Sequence, residues 1–167
     1  LDVGEGEGEE NEEEGAWSHL RKLKSLWESE QSGILSLSGA GVAQVPTAAI
    51  SLTSLTFLNL HNNKIESLPS TMSSLRKLKV VDLSSCLFQN SPECLVNCPG
   101  IDSFNISNNP LSNLEGLPYS VGAVIATNCS LVHLCSLSNC TRLASLDISR
   151  NEIASLQPHI WPCTTSL

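Results

Sequence analysis

Apolar residues recur along the chain in a pattern that repeats six times. The clearest copy runs from Leu55 to Pro69, where apolar and polar positions alternate before an asparagine, Asn63. Alternate residues of a strand point to opposite faces, so each copy predicts one short strand with a buried central residue. No copy can bury its apolar side alone, so the six should stack as parallel strands. The central residues, spaced by 23, 23, 23, 20 and 22 positions, are Leu35, Leu58, Val81, Phe104, Val124 and Leu146.

Each copy continues with a slot that predicts a turn and then with two apolar slots. An asparagine at the turn can bond main-chain groups that have no partner in the sheet. Pro46, Pro69 and Pro92 end the first three copies. The turn slot holds Ala40, Asn63, Cys86, Asn109, Cys129 and Asn151. The first apolar slot holds Val42, Ile65, Phe88, Leu111, Leu131 and Ile153, and the second holds Val45, Leu68, Ser91, Leu114, Leu134 and Leu156.

The order LxxLxLxxNxLxxLP resembles the leucine-rich repeat superfamily over residues 32–157. Residues 32–46 and 62–69 are similar to short intracellular members of the Ras-suppressor type, and residues 134–143 to the proline-free repeats of protein phosphatase 1 regulators. The resemblance implies an α/β leucine-rich-repeat solenoid, a curved horseshoe segment. Short parallel strands would form its concave face, and its convex side would be helical or irregular. It also implies an adaptor or regulatory binding protein.

The two ends of the chain differ from the repeats. Residues 1–15 form an acidic Gly/Glu tract, which we expect to be a disordered tail because it has too little apolar surface to bury. Residues 16–31 predict an N-terminal capping helix with Leu20, Leu23 and Trp27 on one face. Six repeats fill residues 32–157, and residues 158–167 predict an uncapped C-terminal tail. We therefore expect a fragment or processed product that lacks C-terminal repeats.

Charge narrows the range of partners. The net charge of −8 comes from residues 1–15, which hold eight of the seventeen acidic residues and no basic ones. The rest of the chain has nine acidic and nine basic residues and is formally neutral. Nucleic-acid binding favours a basic face, so we expect no nucleic-acid partner. No apolar run approaches transmembrane length, so we expect no membrane partner either. The tail itself is either an electrostatic arm for a basic partner or a solvated segment.

The seven cysteines bear on the compartment. An odd number, with most of them at apolar or turn slots of the repeats, favours free thiols. We therefore expect a cytoplasmic protein, with the nucleus as the second possibility. The cysteines at repeat slots are Cys86, Cys94, Cys98, Cys129 and Cys140, with Cys94 aligned to Leu117 and Leu137. Three glycosylation triplets, at Asn105, Asn128 and Asn139, argue against this location.

Residues that point outward from the strands form columns across the concave face, because adjacent strands lie about 4.8 Å apart. One column begins with an apolar strip, formed by Ile34, Phe57 and Val80. The polar side chains of Asn59, Asp82 and Asn105 lie beside it. An exposed apolar strip with a polar rim is typical of a protein-binding patch. The competing interpretation is that the strip packs under the N-terminal cap or a tail. The predicted partner-binding residues are Ile34, Phe57, Asn59, His61, Val80, Asp82, Ser84, Asn105 and Asp147.

Two chemical alternatives stay open. His61, Asp82 and Ser84 could meet as a hydrolytic triad, although an open face offers no obvious oxyanion site. A metal could bind Cys94 with Cys98, or a second set consisting of Cys129, His133 and Cys135, although no paired CxxC motif exists. We predict a non-enzymatic module with no catalytic residue, metal site or cofactor. It would bind a protein partner as a monomer. The remaining alternative is a structural repeat fragment whose activity lies in missing C-terminal sequence.

Overall fold

Six strands form one open parallel sheet in which every strand neighbours the next in chain order. The computed structural model describes residue 28, residues 31–134 and residues 137–154. The strands are β1 (Ile34–Ser36), β2 (Phe57–Asn59), β3 (Val80–Asp82), β4 (Ser103–Asn105), β5 (Ala123–Ile125) and β6 (Ser145–Asp147). Each predicted central residue pairs with the central residue of the next strand, from Leu35 with Leu58 to Val124 with Leu146. The predicted leucine-rich-repeat solenoid is confirmed.

Several predictions at the chain ends lie outside the described residues. These are the acidic tail at 1–15, nearly all of the capping helix at 16–31, and the tail at 158–167. Glu28, Gln31 and Ser32 are described and are helical. The Ser32 hydroxyl donates a hydrogen bond of 2.9 Å to the Glu28 carbonyl oxygen, one turn earlier.

The core lies behind the sheet and is built from the strand centres and the apolar slots. The central residues of β1 to β5 are at most 1% exposed. Leu146 in β6 is only half-buried, as are Ile148 and Ile153 in the same repeat. No described strand packs beyond β6, so the apolar residues of this repeat have a described neighbour on one side only.

Within the described ranges, three short helices connect successive strands, and each begins directly after a proline. They are α1 (Thr47–Ile50) and two 3-10 helices, Ser70–Ser74 and Glu93–Leu95. Proline suits the start of a helix because its fixed φ is close to helical values and no hydrogen bond needs its missing N–H. Residues 111–134, whose repeats lack this proline, contain no helix.

The alignment of Cys94 with Leu117 and Leu137 is wrong by one residue. Leu95 is fully buried in its 3-10 helix, whereas Cys94 beside it is half-buried. The repeats on either side differ in length, so counting residues back from Leu117 does not reach the matching buried side chain.

The shorter repeat between Phe104 and Val124 keeps the strand register. Its spacing is 20 residues instead of 23, yet Phe104 still pairs with Val124. The connecting segment supplies its own polar contacts, since the Ser120 hydroxyl donates to the carbonyl oxygens of Ile101 at 2.6 Å and Cys98 at 3.2 Å. Variation in repeat length is therefore absorbed behind the sheet.

Asparagines in the turn slot tie successive repeats together. The Asn63 amide nitrogen donates to the carbonyl oxygen of Leu60 at 2.7 Å and to that of Leu37, in the preceding repeat, at 2.8 Å. Its Oδ1 accepts the N–H of Val42 at 3.0 Å. Asn109 and Asn151 repeat this arrangement. The thiol of Cys86 substitutes only partly, with one contact of 3.3 Å to the Leu60 carbonyl oxygen and a longer one to Ser84.

The residue before each turn slot adopts a left-handed backbone conformation. Its φ lies between 51° and 64° in all six repeats. Such angles are costly for most L-residues, and glycine and asparagine tolerate them best. The chain places glycine or asparagine at four of these positions and Ser or Arg at two. The residues are Gly39, Asn62, Ser85, Asn108, Asn128 and Arg150.

Candidate functional site

The predicted apolar strip exists on the exposed face of the sheet. Ile34 pairs with Phe57 and Phe57 pairs with Val80 in the register of the sheet, so the three side chains stand in one row. Ile34 is 51% exposed, and Phe57 and Val80 are half-buried. The next member of the row is Ser103, which ends the apolar strip at β4.

A second row contains four side chains held in the same way. The Oδ1 atoms of Asn59, Asp82, Asn105 and Asp147 each accept the main-chain N–H two residues later, at 2.9 to 3.1 Å. This contact turns one polar atom of each side chain toward its own main chain and the other away from it. The main-chain N–H of Ser149, followed by its hydroxyl, lowers the pKa of the Asp147 carboxyl below its ordinary value. The row therefore presents polar atoms in fixed positions.

His61, Ser84 and Asp82 form a connected group across β2 and β3. The Ser84 hydroxyl donates to Asp82 Oδ1 at 2.5 Å, and His61 Nδ1 lies 2.8 Å from Ser84 Oγ. Since the serine proton is given to Asp82, we assign His61 Nδ1 as the donor to Ser84. Ser84 is only 4% exposed, so it lies beneath the face instead of on it. Its hydroxyl bonds the outward side chains of His61 and Asp82, so Ser84 points toward the same face as they do but is itself covered.

The hydrolytic alternative conflicts with this geometry. A nucleophilic serine must give its proton to the histidine, and a carboxylate must orient the histidine from its other side. Here the serine is the central member and gives its proton to the carboxylate. Its burial also keeps a substrate from its oxygen.

The described cysteines lie at core or turn positions of the repeats. Those in the described ranges are free thiols. Burial raises the pKa of the Cys86, Cys98 and Cys129 thiols, and burial followed by the nearby Cys98 raises that of Cys94 to about 11. Among the described residues, no three His, Cys, Asp or Glu side chains group as a metal site. Cys135, a member of the second proposed set of ligands, lies outside those residues.

Two features lie outside the predicted site. Ile125 takes the place of the held polar side chain in β5 and is 41% exposed, which adds an apolar position between Asn105 and Asp147. A groove of about 760 Å³ also lies behind the turn after β3, against the two 3-10 helices, and Ser91 lines it. The sequence feature that could have indicated this groove is Ser91, a serine at a slot that is apolar in other repeats. No helix within the described ranges has the length and apolar character needed to cross a bilayer.

Comparison with known proteins agrees with the geometry. The Leucine Rich Repeat family model matches residues 54–75. A leucine-rich repeat serine/threonine-protein kinase 1 of Caenorhabditis elegans is 40% identical over 103 residues, which cover 58% of this chain and 4% of the kinase. The chain thus spans only a small part of that relative.

Solved structures share the fold. A leucine-rich repeat domain of a Shigella effector superposes with a TM-score of 0.68 at 23% identity, over 91% of this chain and 69% of that one. The plant peptide hormone receptor RGFR1, in complex with RGF2, has a TM-score of 0.52 at 22% identity, over 66% of this chain and 19% of the receptor. The chain therefore contains a leucine-rich repeat at residues 54–75 and has the fold of leucine-rich repeat proteins. This fold is commonly a protein-interaction module and is typically non-enzymatic.

Proposed function

We propose that the chain is a non-enzymatic interaction module that binds a protein partner on the concave face of β1 to β4. The observation that carries the proposal is the apolar strip of Ile34, Phe57 and Val80 running beside the row of Asn59, Asp82 and Asn105. Apolar contact supplies most of the affinity of such patches, and fixed polar groups supply the specificity.

The chemistry of the partner follows from the two rows. An apolar side chain of the partner would cover Phe57 and Val80, which are only half-buried in the free chain. A lysine or arginine beside it would meet the carboxylate of Asp82, and the Asn59 and Asn105 side chains would bond polar groups on either side. Ser84 would contribute from beneath by holding His61 and Asp82. The complex of a receptor with the same fold and RGF2 supports a peptide or protein as the partner.

Affinity capture with the whole chain as bait tests the site. Phe57→Ala and Asp82→Lys should each weaken capture of the same partner by about tenfold, which corresponds to ~1.4 kcal/mol. Neither change leaves a large core cavity, so both variants should stay folded. Matched controls are Tyr119→Ala, an exposed aromatic that precedes β5, and Glu152→Lys, an exposed acid beyond β6. Capture that falls equally with the controls would move the site off β1 to β4. Sedimentation velocity tests the accompanying proposal that the chain binds as a monomer.

We also propose a reducing compartment, in the cytoplasm or nucleus. Support comes from the free thiols at repeat slots, three of which are buried. Trapping the cellular protein with an alkylating reagent should recover every cysteine reduced. The opposite result would be a glycan on Asn139, which is exposed and therefore a more accessible acceptor than Asn105 in β4.

A further inference from the structure

The groove beside Ser91 lies apart from the concave face. Its walls come from the segments that follow β2 and β3 and from the 3-10 helices at Ser70–Ser74 and Glu93–Leu95. Leu68, Phe88 and Cys94 contribute apolar surface, and Leu87 at its edge is 44% exposed. A large exposed leucine next to a recess is typical of a surface that another group covers.

Ser91 accounts for the recess. The same slot holds Leu68 in the preceding repeat and Leu114 in the following one, and each is larger than serine. Ser91 is 95% buried, being 5% exposed, and its Oγ has no hydrogen-bond partner among the described residues. A buried hydroxyl without a partner carries a desolvation cost of about 1–3 kcal/mol. The repeat slot at Ser91 thus holds neither an aliphatic side chain nor a hydrogen-bonded hydroxyl.

The charge of the lining residues determines which ligands the groove favours. Glu66 and Glu93 line it, and its other lining residues are uncharged, so the described lining contains carboxylates and no basic group. Asn90 and Asn97 add amides at the rim. A ligand that placed a carboxylate here would meet like charge, whereas a cationic one would gain charge-assisted hydrogen bonds.

We propose that the groove is a second docking site, which binds a peptide segment of a partner protein that carries an aliphatic side chain next to a lysine or arginine. The aliphatic side chain enters the recess that Ser91 leaves open. The basic residue pairs with Glu66 or Glu93.

Fluorescence anisotropy with two labelled pentapeptides tests the site on the whole chain. One peptide alternates lysine and leucine, and the other alternates glutamate and leucine. The lysine peptide should bind at least about tenfold more tightly than the glutamate peptide. Binding of the lysine peptide should also slow the alkylation of Cys94, followed by mass spectrometry, because Cys94 lines the groove. Equal affinity for the two peptides, or unchanged alkylation, would overturn the proposal.

Variants locate the binding. Ser91→Leu fills the recess and should weaken binding of the lysine peptide by at least about tenfold, and the double variant Glu66→Gln, Glu93→Gln should do the same. Should Ser91→Leu fail to fold, Ser91→Val applies the same test. Glu152→Gln is the charge control and should leave binding unchanged. Phe57→Ala should also leave it unchanged, which separates this site from the concave face. Full binding by the Ser91 and Glu variants, or loss with Phe57→Ala, would overturn the proposal.

Discussion

His61 Nδ1 lies 2.8 Å from Ser84 Oγ, so a hydrogen bond between two side chains joins the segments that follow β2 and β3. The same hydroxyl donates to Asp82. One buried serine therefore determines the positions of two side chains on the face that we propose for partner binding.

Replacing Ser84 with alanine should destabilise the fold. The change removes two hydrogen bonds, each with a net contribution of roughly 0.5–1.5 kcal/mol, and we expect a loss of about 1–2 kcal/mol. Urea unfolding of the variant measures this loss. Ser149→Ala is the matched control, because Ser149 occupies the same column but is exposed. Equal losses in the two variants would contradict a special role for the buried hydroxyl.

Asn63→Ala should be among the most destabilising single changes in the turns. It removes the amide donor from the carbonyl oxygens of Leu37 and Leu60 and leaves the N–H of Val42 without its acceptor inside a buried turn. We expect a loss of about 2–4 kcal/mol. Asn63→Cys should cost less, because Cys86 already donates to a carbonyl oxygen from this slot. Chemical denaturation of both variants measures the difference, and a cysteine variant as unstable as the alanine variant would refute this comparison.

Ser85→Gly should stabilise the protein. Ser85 has a φ of 56°, where an L-residue is strained by roughly 1–2 kcal/mol and glycine is not. Glycine also gives the unfolded chain more freedom, so we expect a net gain of about 0.5–1 kcal/mol. Thermal unfolding measures it. The control is Ser73→Gly in the first 3-10 helix, which should lower stability instead. A gain in the control and none at Ser85 would contradict the assigned backbone strain.

The buried thiols predict that stability falls in alkali. The pKa of Cys94 is raised from 9.0 to about 11 in the folded chain, mainly by burial. Between pH 9.0 and 11 the thiol ionises in the unfolded chain but not in the folded one. The contribution of Cys94 to the free energy of unfolding is therefore complete below pH 9.0 and is lost as the pH rises toward 11. Unfolding free energies measured from neutral to alkaline pH should decline, and Cys94→Ala should flatten the decline. An unchanged slope in that variant would exclude Cys94 as the cause.

Much of the fold was predictable because two spacings determine it. Alternation along each strand identifies the buried residue, and the distance between copies brings Leu35, Leu58 and Val81 into register. The loops behind the sheet obey neither rule. Leu95 is buried there in place of Cys94 because the local path of a 3-10 helix decides which of two neighbours points inward.

The sequence predicted which strand positions form the candidate site, but not which of their side chains are buried. Strand alternation correctly left Phe57 and Asp82 out of the buried strand centres. It did not predict the burial of Ser84, whose short side chain bonds Asp82 and is covered by its neighbours. Gly39, Asn62 and Asn108 are residue types that favour a left-handed backbone conformation. Ser85 and Arg150 occupy the same position in other repeats and do not favour it, so the residue types alone do not predict the conformation in every repeat. The groove at Ser91 depends on how two segments of neighbouring repeats meet, which no single stretch of sequence specifies.

The short repeat between Phe104 and Val124 indicates where the chain can accept an insertion. Removing three residues from the usual spacing leaves the pairing of β4 and β5 intact, so the segment around Leu114 and Leu117 is free to differ in length between otherwise equal units. An affinity tag or a fluorescent reporter inserted near the exposed Glu115 would follow partner binding without disturbing the face that makes the contact.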